Sequence, residues 1–125
     1  MKAKTLTIGI MPLAEYQARS IRIAKGEYKP AKGEPKVFFP SVKALSQLLS
    51  EENQKLLQMI LETHPNSIVE LAQQTGRAQS NLSRTLKKLS HYGIVSFEKH
   101  DNKSRPIVEY TDFDVKFGLH SGIFA

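Results

Sequence analysis

A chain of 125 residues is the size of one domain, and a hydrophobic content of 40% is enough to build a core. The lack of cysteine excludes disulfide frameworks, thiolate metal sites and cysteine nucleophiles, and makes a reducing compartment, the cytoplasm, the expected location. The formal net charge of +6 is concentrated in two blocks: residues 1–36 hold eight Lys/Arg against three Glu, and residues 77–105 hold seven against two acids, whereas 37–76 and 106–125 are mildly acidic. Such blocks attract phosphate polymers or anionic surfaces.

At the start of the chain, MKAKTLTIGIMPLAEYQARS has no uninterrupted apolar run, so neither a signal peptide nor a membrane span is expected. Leu6, Ile8 and Ile10 alternate with Thr5, Thr7 and Gly9, the period of a half-buried strand. A helix is expected after Pro12, burying Leu13, Tyr16, Ser20, Ile23 and Ala24 and exposing Arg19, Arg22 and Lys25. The stretch GEYKPAKGEPK, Gly26 to Lys36, has two Gly and two Pro and little to bury, and reads as a mobile joint.

From Pro40 onward, Ser41 is placed to cap a short helix with Val42, Leu45, Leu48 and Leu49 on one stripe. Ser50 caps the next, whose first turn carries Glu51 and Glu52 and whose buried side is Leu56, Leu57, Met59, Ile60 and Leu61, ending before Pro65. Ser67 and Glu70 have capping-box spacing and start a helix that buries Ile68, Leu71 and Ala72 and stops at Thr75-Gly76. A second helix then places Ala78, Leu82, Leu86 and Leu89 on one side and Ser80, Ser83, Arg84, Lys87 and His91 on the other, with no acid from Gln79 to Phe97. Two helices joined by a tight Gly turn are the pattern of a helix-turn-helix. After Gly93 the period becomes alternating; the expected hairpin has its tip at His100 to Arg105 and returns through Pro106 to Tyr110.

A last strand is expected where Phe113, Val115, Phe117 and Leu119 alternate with Asp114, Lys116 and Gly118. Because a two-stranded ribbon is marginal in water, the strands at the two ends need a surface. Either they form a dimerisation layer, which makes a homodimer the expected assembly, or they close the monomer's own sheet. The boundaries expected from this reading are an arm and linker over 1–36, a helical domain with its hairpin over 37–111 and a C-terminal strand and tail over 112–125.

The residues SIVELAQQTGRAQSNLSRTLKKLSHYGIVSFEK, Ser67 to Lys99, resemble the winged helix-turn-helix of MarR-like and ArsR-like transcription regulators. The resemblance implies an α+β fold, mainly α with a hairpin wing, flanked by the terminal strands and an N-terminal helix. The family's recognition helix maps onto Gln79 to Tyr92, with Ala78 where a capping hydroxyl is usual. Base reading is then expected from Gln79, Ser80, Asn81, Ser83 and Arg84 in the first turns, and phosphate contacts from Arg77, Lys87, Lys88, His91, Lys103 and Arg105. The overall layout is also similar to a small family of predicted regulators that includes antitoxin-like autorepressors.

The expected partner is therefore double-stranded DNA and the expected role a transcriptional repressor. The alternative is a protein-interaction module such as an antitoxin that binds a toxin. His64, His91, His100 and His120 are scattered without metal-ligand spacing and no Gly-rich phosphate loop is present, so no metal, cofactor or catalytic role is expected.

Overall fold

The computed structural model describes residues 4–119. His120 and the end of the C-terminal tail lie outside them. The fold is mixed α/β, and the chain divides into two compact units. A helical unit comprises Ser46–Thr111 with Lys4; a sheet unit comprises Thr5–Leu45 and the segment from Asp112.

The sheet unit contains β1 (Thr5–Ile10), α1 (Leu13–Ala24), β2 (Val37–Phe39) and β5 (Asp112–Lys116), and α2 (Val42–Leu48) carries the chain onward from it. All its strands are parallel, in the order β2-β1-β5. β1 is the central strand, with Ile8 opposite Val37 on one side and Val115 on the other. Its buried run Ile8, Gly9, Ile10 departs from strict alternation, because Gly9, facing away from Ile8 and Ile10, is itself covered by Phe38 and Pro35. The two ends of the chain thus close one sheet within the monomer. They do not form a two-stranded ribbon, because Val37–Phe39 supplies a third strand that alternation could not reveal in so short a segment.

That pairing also changes the expected joint. Parallel strands need a crossover, and α1 with residues 25–36 provides it between β1 and β2. The segment is folded back on itself: the Glu27 and Tyr28 amides donate to Arg22 O (2.9 and 3.3 Å), and the Glu34 carboxylate accepts from the Tyr28 hydroxyl and the Ala31 amide. Residues 37–45 accordingly stand with the sheet and not with the helices that follow.

The buried face of α1 is a second correction. Arg19 is only 7% exposed, whereas Leu13 and Tyr16 face solvent. The guanidinium of Arg19 lies over the Phe38 ring (4.8 Å) and the Tyr28 ring (5.7 Å), and Arg22 lies 5.5 Å from Tyr28. A weakly hydrated, planar cation between two aromatic faces replaces the apolar stripe that periodicity implied. Phe38 also explains Gly9, where a Cβ would fall 2.6 Å from Phe38 Cε1 and 3.1 Å from Pro35 Cγ.

In the helical unit, α3 (Glu51–Thr63), α4 (Ile68–Thr75) and α5 (Gln79–His91) are followed by the antiparallel pair β3 (Val95–His100) and β4 (Lys103–Val108). The cap residues act as expected. Ser50 Oγ accepts from the Asn53 amide (3.2 Å) and Ser67 Oγ from the Glu70 amide (3.0 Å). The Glu70 carboxylate reaches back to the Asn66 amide, completing the box one residue earlier than the usual position.

The α4 helix ends on Gly76 at φ 74°, a left-handed conformation that glycine adopts at no steric cost. Thr75 tightens the turn, its hydroxyl donating to Leu71 O (2.9 Å) and accepting from the Arg77 amide (3.2 Å). α3 packs on β4, α4 on α5 and β4, and α5 on β3. Leu56, Leu57, Ile60, Leu71, Leu82, Leu86, Leu89, Ile94, Val95 and Val108 form the buried set. Burial of each large aliphatic side chain contributes about 1.5–3 kcal/mol, so this set dominates the unit's stability.

Candidate nucleic-acid interface

α5 separates its two faces sharply. Leu82, Leu86 and Leu89 are each 0% exposed. Gln79, Ser80, Asn81, Ser83, Arg84, Lys87, Lys88 and His91 are all exposed, so every base-reading candidate shares the outer face of one helix. Ala78 occupies the N-cap with no side-chain hydrogen bond to the first turn. The opening amides of α5 therefore lack an intrahelical acceptor and a capping oxygen together. At the other end the Ile94 amide donates to Leu89 O (3.0 Å) and the Gly93 amide to Ser90 O (3.0 Å), fixing where the helix stops and the hairpin begins.

The candidates differ in how far their polar groups are already engaged. Arg77 is held from three sides. Its Nε and Nη2 donate to Asn81 Oδ1 (3.0 and 2.7 Å), Nη2 also to Thr85 Oγ1 (3.2 Å), and Nη1 to Asn53 Oδ1 on α3 (3.2 Å). Asn53 Nδ2 in turn donates to Leu48 O (2.8 Å). Arg77 thus braces the start of α5 against α3 and holds the Asn81 side chain through its Oδ1. Arg77 lies in the turn ahead of α5, and Asn81 and Thr85 follow one another by one helical turn, so its reach along the helix joins residues near in sequence. The partner on α3 was not visible there.

Arg105 is likewise engaged. It stands opposite Glu98 in the hairpin register, and its Nη2 lies 2.6 Å from Glu98 Oε1. Lys103 is exposed at the end of β4, directly opposite His100. The hairpin tip is tighter than the sequence implied: Asp101 (φ 49°) and Asn102 (φ 63°) alone make the turn, the left-handed pair of a two-residue hairpin loop. In contrast with Arg77 and Arg105, the side chains of Gln79, Ser80, Ser83, Arg84, Lys87 and Lys88 have no hydrogen bond or ion pair among the described residues.

Elsewhere in the unit, a shallow cavity of about 190 Å³ is lined by Ile60, Leu61, His64 and the β4 residues Arg105 to Val108. Among the described residues no three potential metal-ligating side chains converge, and no helix is long and apolar enough to cross a membrane.

Two helices about a glycine turn, followed by an antiparallel hairpin, therefore form the part of this mixed α/β protein that carries the candidate site. Residues 48–115, running from the end of α2 into β5, match the HVO_A0114 family, and the chain belongs to that family. No curated protein is significantly similar to it.

Proposed function

We propose that the helical unit is a winged helix-turn-helix that binds duplex DNA, and that the protein is a sequence-specific transcriptional regulator, a repressor acting in the cytoplasm. The observation that carries this reading is the outer face of α5: exposed, free of acids, and lined by hydroxyl, amide, guanidinium and ammonium groups of which most have no partner among the described residues. A solvated surface helix ordinarily mixes in carboxylates and pairs them at i, i+4. A helix that enters the major groove has the opposite need, with short polar groups and Arg for base edges and Lys for phosphates.

In this reading α5 is the recognition helix and the β3–β4 hairpin the wing. Ser80, Asn81, Ser83 and Arg84 read bases from the first turns, and the uncapped amides at Gln79 and Ser80 suit a phosphate oxygen. Lys87, Lys88, His91 and Lys103 contact phosphates. Arg77 acts as an internal brace that sets the angle of α5, and the pairing of Arg105 with Glu98 leaves Lys103 as the exposed cation beside the turn of the wing.

A mobility-shift titration of the full chain on duplex DNA from upstream of its own gene, with random duplex and single-stranded RNA as competitors, tests the proposal. The upstream duplex is expected to resist both competitors. Arg84→Ala is expected to cost about 1–3 kcal/mol and to relax preference at one position. Equal loss on every sequence would make Arg84 a phosphate contact, and a parent protein that prefers no duplex would overturn the reading. Ala at Lys87, Lys88 or Lys103 is expected to weaken all duplexes alike and to lower the salt slope by about 0.9 per contact removed.

A further inference from the structure

The two edges of the three-stranded sheet are unlike. β2 is three residues long and lies between Pro35 and Pro40, features that block further strand pairing. β5 has five residues and no proline, and its outer edge pairs with no strand among the described residues. Along it Val115 is 43% exposed and Phe117, one residue past the strand, 58% exposed. Asp114 and Lys116 are also exposed, and neither has a hydrogen bond or ion pair among the described residues.

The sequence of this edge, Phe113-Asp114-Val115-Lys116-Phe117, is self-complementary when a second copy is laid against it in the opposite direction. We propose that β5 is the seam of a homodimer in which two copies pair their β5 strands antiparallel across a two-fold axis at Val115, joining two three-stranded sheets into one. A two-fold seam brings residue i against j and j against i. With the axis at Val115, Asp114 lies opposite Lys116 of the second copy twice, Phe113 opposite Phe117 twice, and Val115 opposite itself. Opposite charges and aromatic pairs directly across antiparallel strands are stabilising, whereas like charges in that position are destabilising.

Neighbouring registers lack this match. An axis at Asp114 sets that carboxylate against its own copy, and an axis at Phe113 sets Asp112 against Asp114 twice. The charge pattern therefore selects one register as well as one partner. The proposal rests on the sheet unit alone and stands or falls independently of DNA binding.

Sedimentation equilibrium of the full chain tests it, with twice the 14.1 kDa chain mass expected at micromolar concentration. Asp114→Lys and Lys116→Asp each place like charges opposite one another twice and are expected to raise the dimer dissociation constant about tenfold or more. The double variant restores opposite charges in the same register and is expected to return to within about threefold of the parent. Because the chain has no cysteine of its own, Val115→Cys is expected to give a disulfide-linked dimer on oxidation, since only this register sets residue 115 against itself. A parent chain that is monomeric, single reversals that dimerise as the parent does, or a double variant no better than either reversal would overturn the proposal. If the reversals failed to fold, a Val115→Cys chain that dimerises without cross-linking would overturn it equally.

Discussion

The helical unit and the sheet unit are built on different kinds of information. In the first, each boundary is set within a few residues of sequence: Ser50 and Ser67 accept from the amides three residues on, Gly76 turns the chain, and Asp101-Asn102 reverse it. In the second, β1 pairs with a strand more than a hundred residues away, Thr5 opposite Asp112, and Ser46–Thr111 of the helical unit lies between those partners in sequence. The units also differ in what they leave uncovered. Among the described residues, the exposed large apolar side chains of the helical unit are Val69 and Phe97, against Leu13, Tyr16, Ile21, Val42, Val115, Phe117 and Leu119 outside it. A unit that finishes its own core is suited to present a polar face, and one that does not has surface left for another chain.

The comparison can be broken most forcefully in the leucines of α5. Leu86→Ala empties a fully buried position and is expected to cost about 2–5 kcal/mol in chemical denaturation. Leu13→Ala, on an exposed position of α1, is expected to stay within about 0.5 kcal/mol. Similar losses at the two sites would mean that α1 buries its apolar stripe after all. Gly9→Ala comes next, because the added methyl meets a Phe38 ring already held against Arg19 and Tyr16; a loss of about 1–3 kcal/mol is expected.

Within the helical unit, Arg77 and Arg84 separate bracing from recognition. Arg77→Ala removes hydrogen bonds to Asn53, Asn81 and Thr85 and is expected to lower stability by about 1–2 kcal/mol. Arg84→Ala is expected to leave stability within about 0.5 kcal/mol while weakening DNA binding. Equal effects of both on stability would remove the distinction. A cap is worth less: Ser67→Ala should cost about 1 kcal/mol, with Ser67→Gly milder.

The smallest effect is expected in the α1–β2 loop. The hydrogen bond that the Tyr28 hydroxyl donates to Glu34 raises the Tyr28 pKa above its ordinary 10.0. A raised tyrosine pKa means that the folded state favours the neutral phenol. Its contribution is therefore complete below pH 10.0 and is lost as pH rises through the raised value. Thermal unfolding of the parent followed upward from that pH should fall more steeply than that of Tyr28→Phe, and coincident profiles would place the loop's hold elsewhere.

The three helices of the helical unit, the turn between α4 and α5, the presence of the hairpin and the outward face of α5 are legible in the sequence, because caps, left-handed glycine and a 3.6-residue period act over distances of one or two turns. β1 and most of β5 are legible there as strands, since alternation is a local property too. What those strands pair with, that Val37–Phe39 is a strand at all, and that Arg19 and not Leu13 is the buried residue of α1 emerge from long-range packing. The same packing draws Arg77 inward to Asn53 and Arg105 across to Glu98, which divides the basic side chains into those that hold the unit together and those left free. The reason is the same in each case: parallel pairing, a cation between aromatic rings and a bond between two helices join residues far apart in the chain. No local period or propensity encodes such a partner until the fold brings it near.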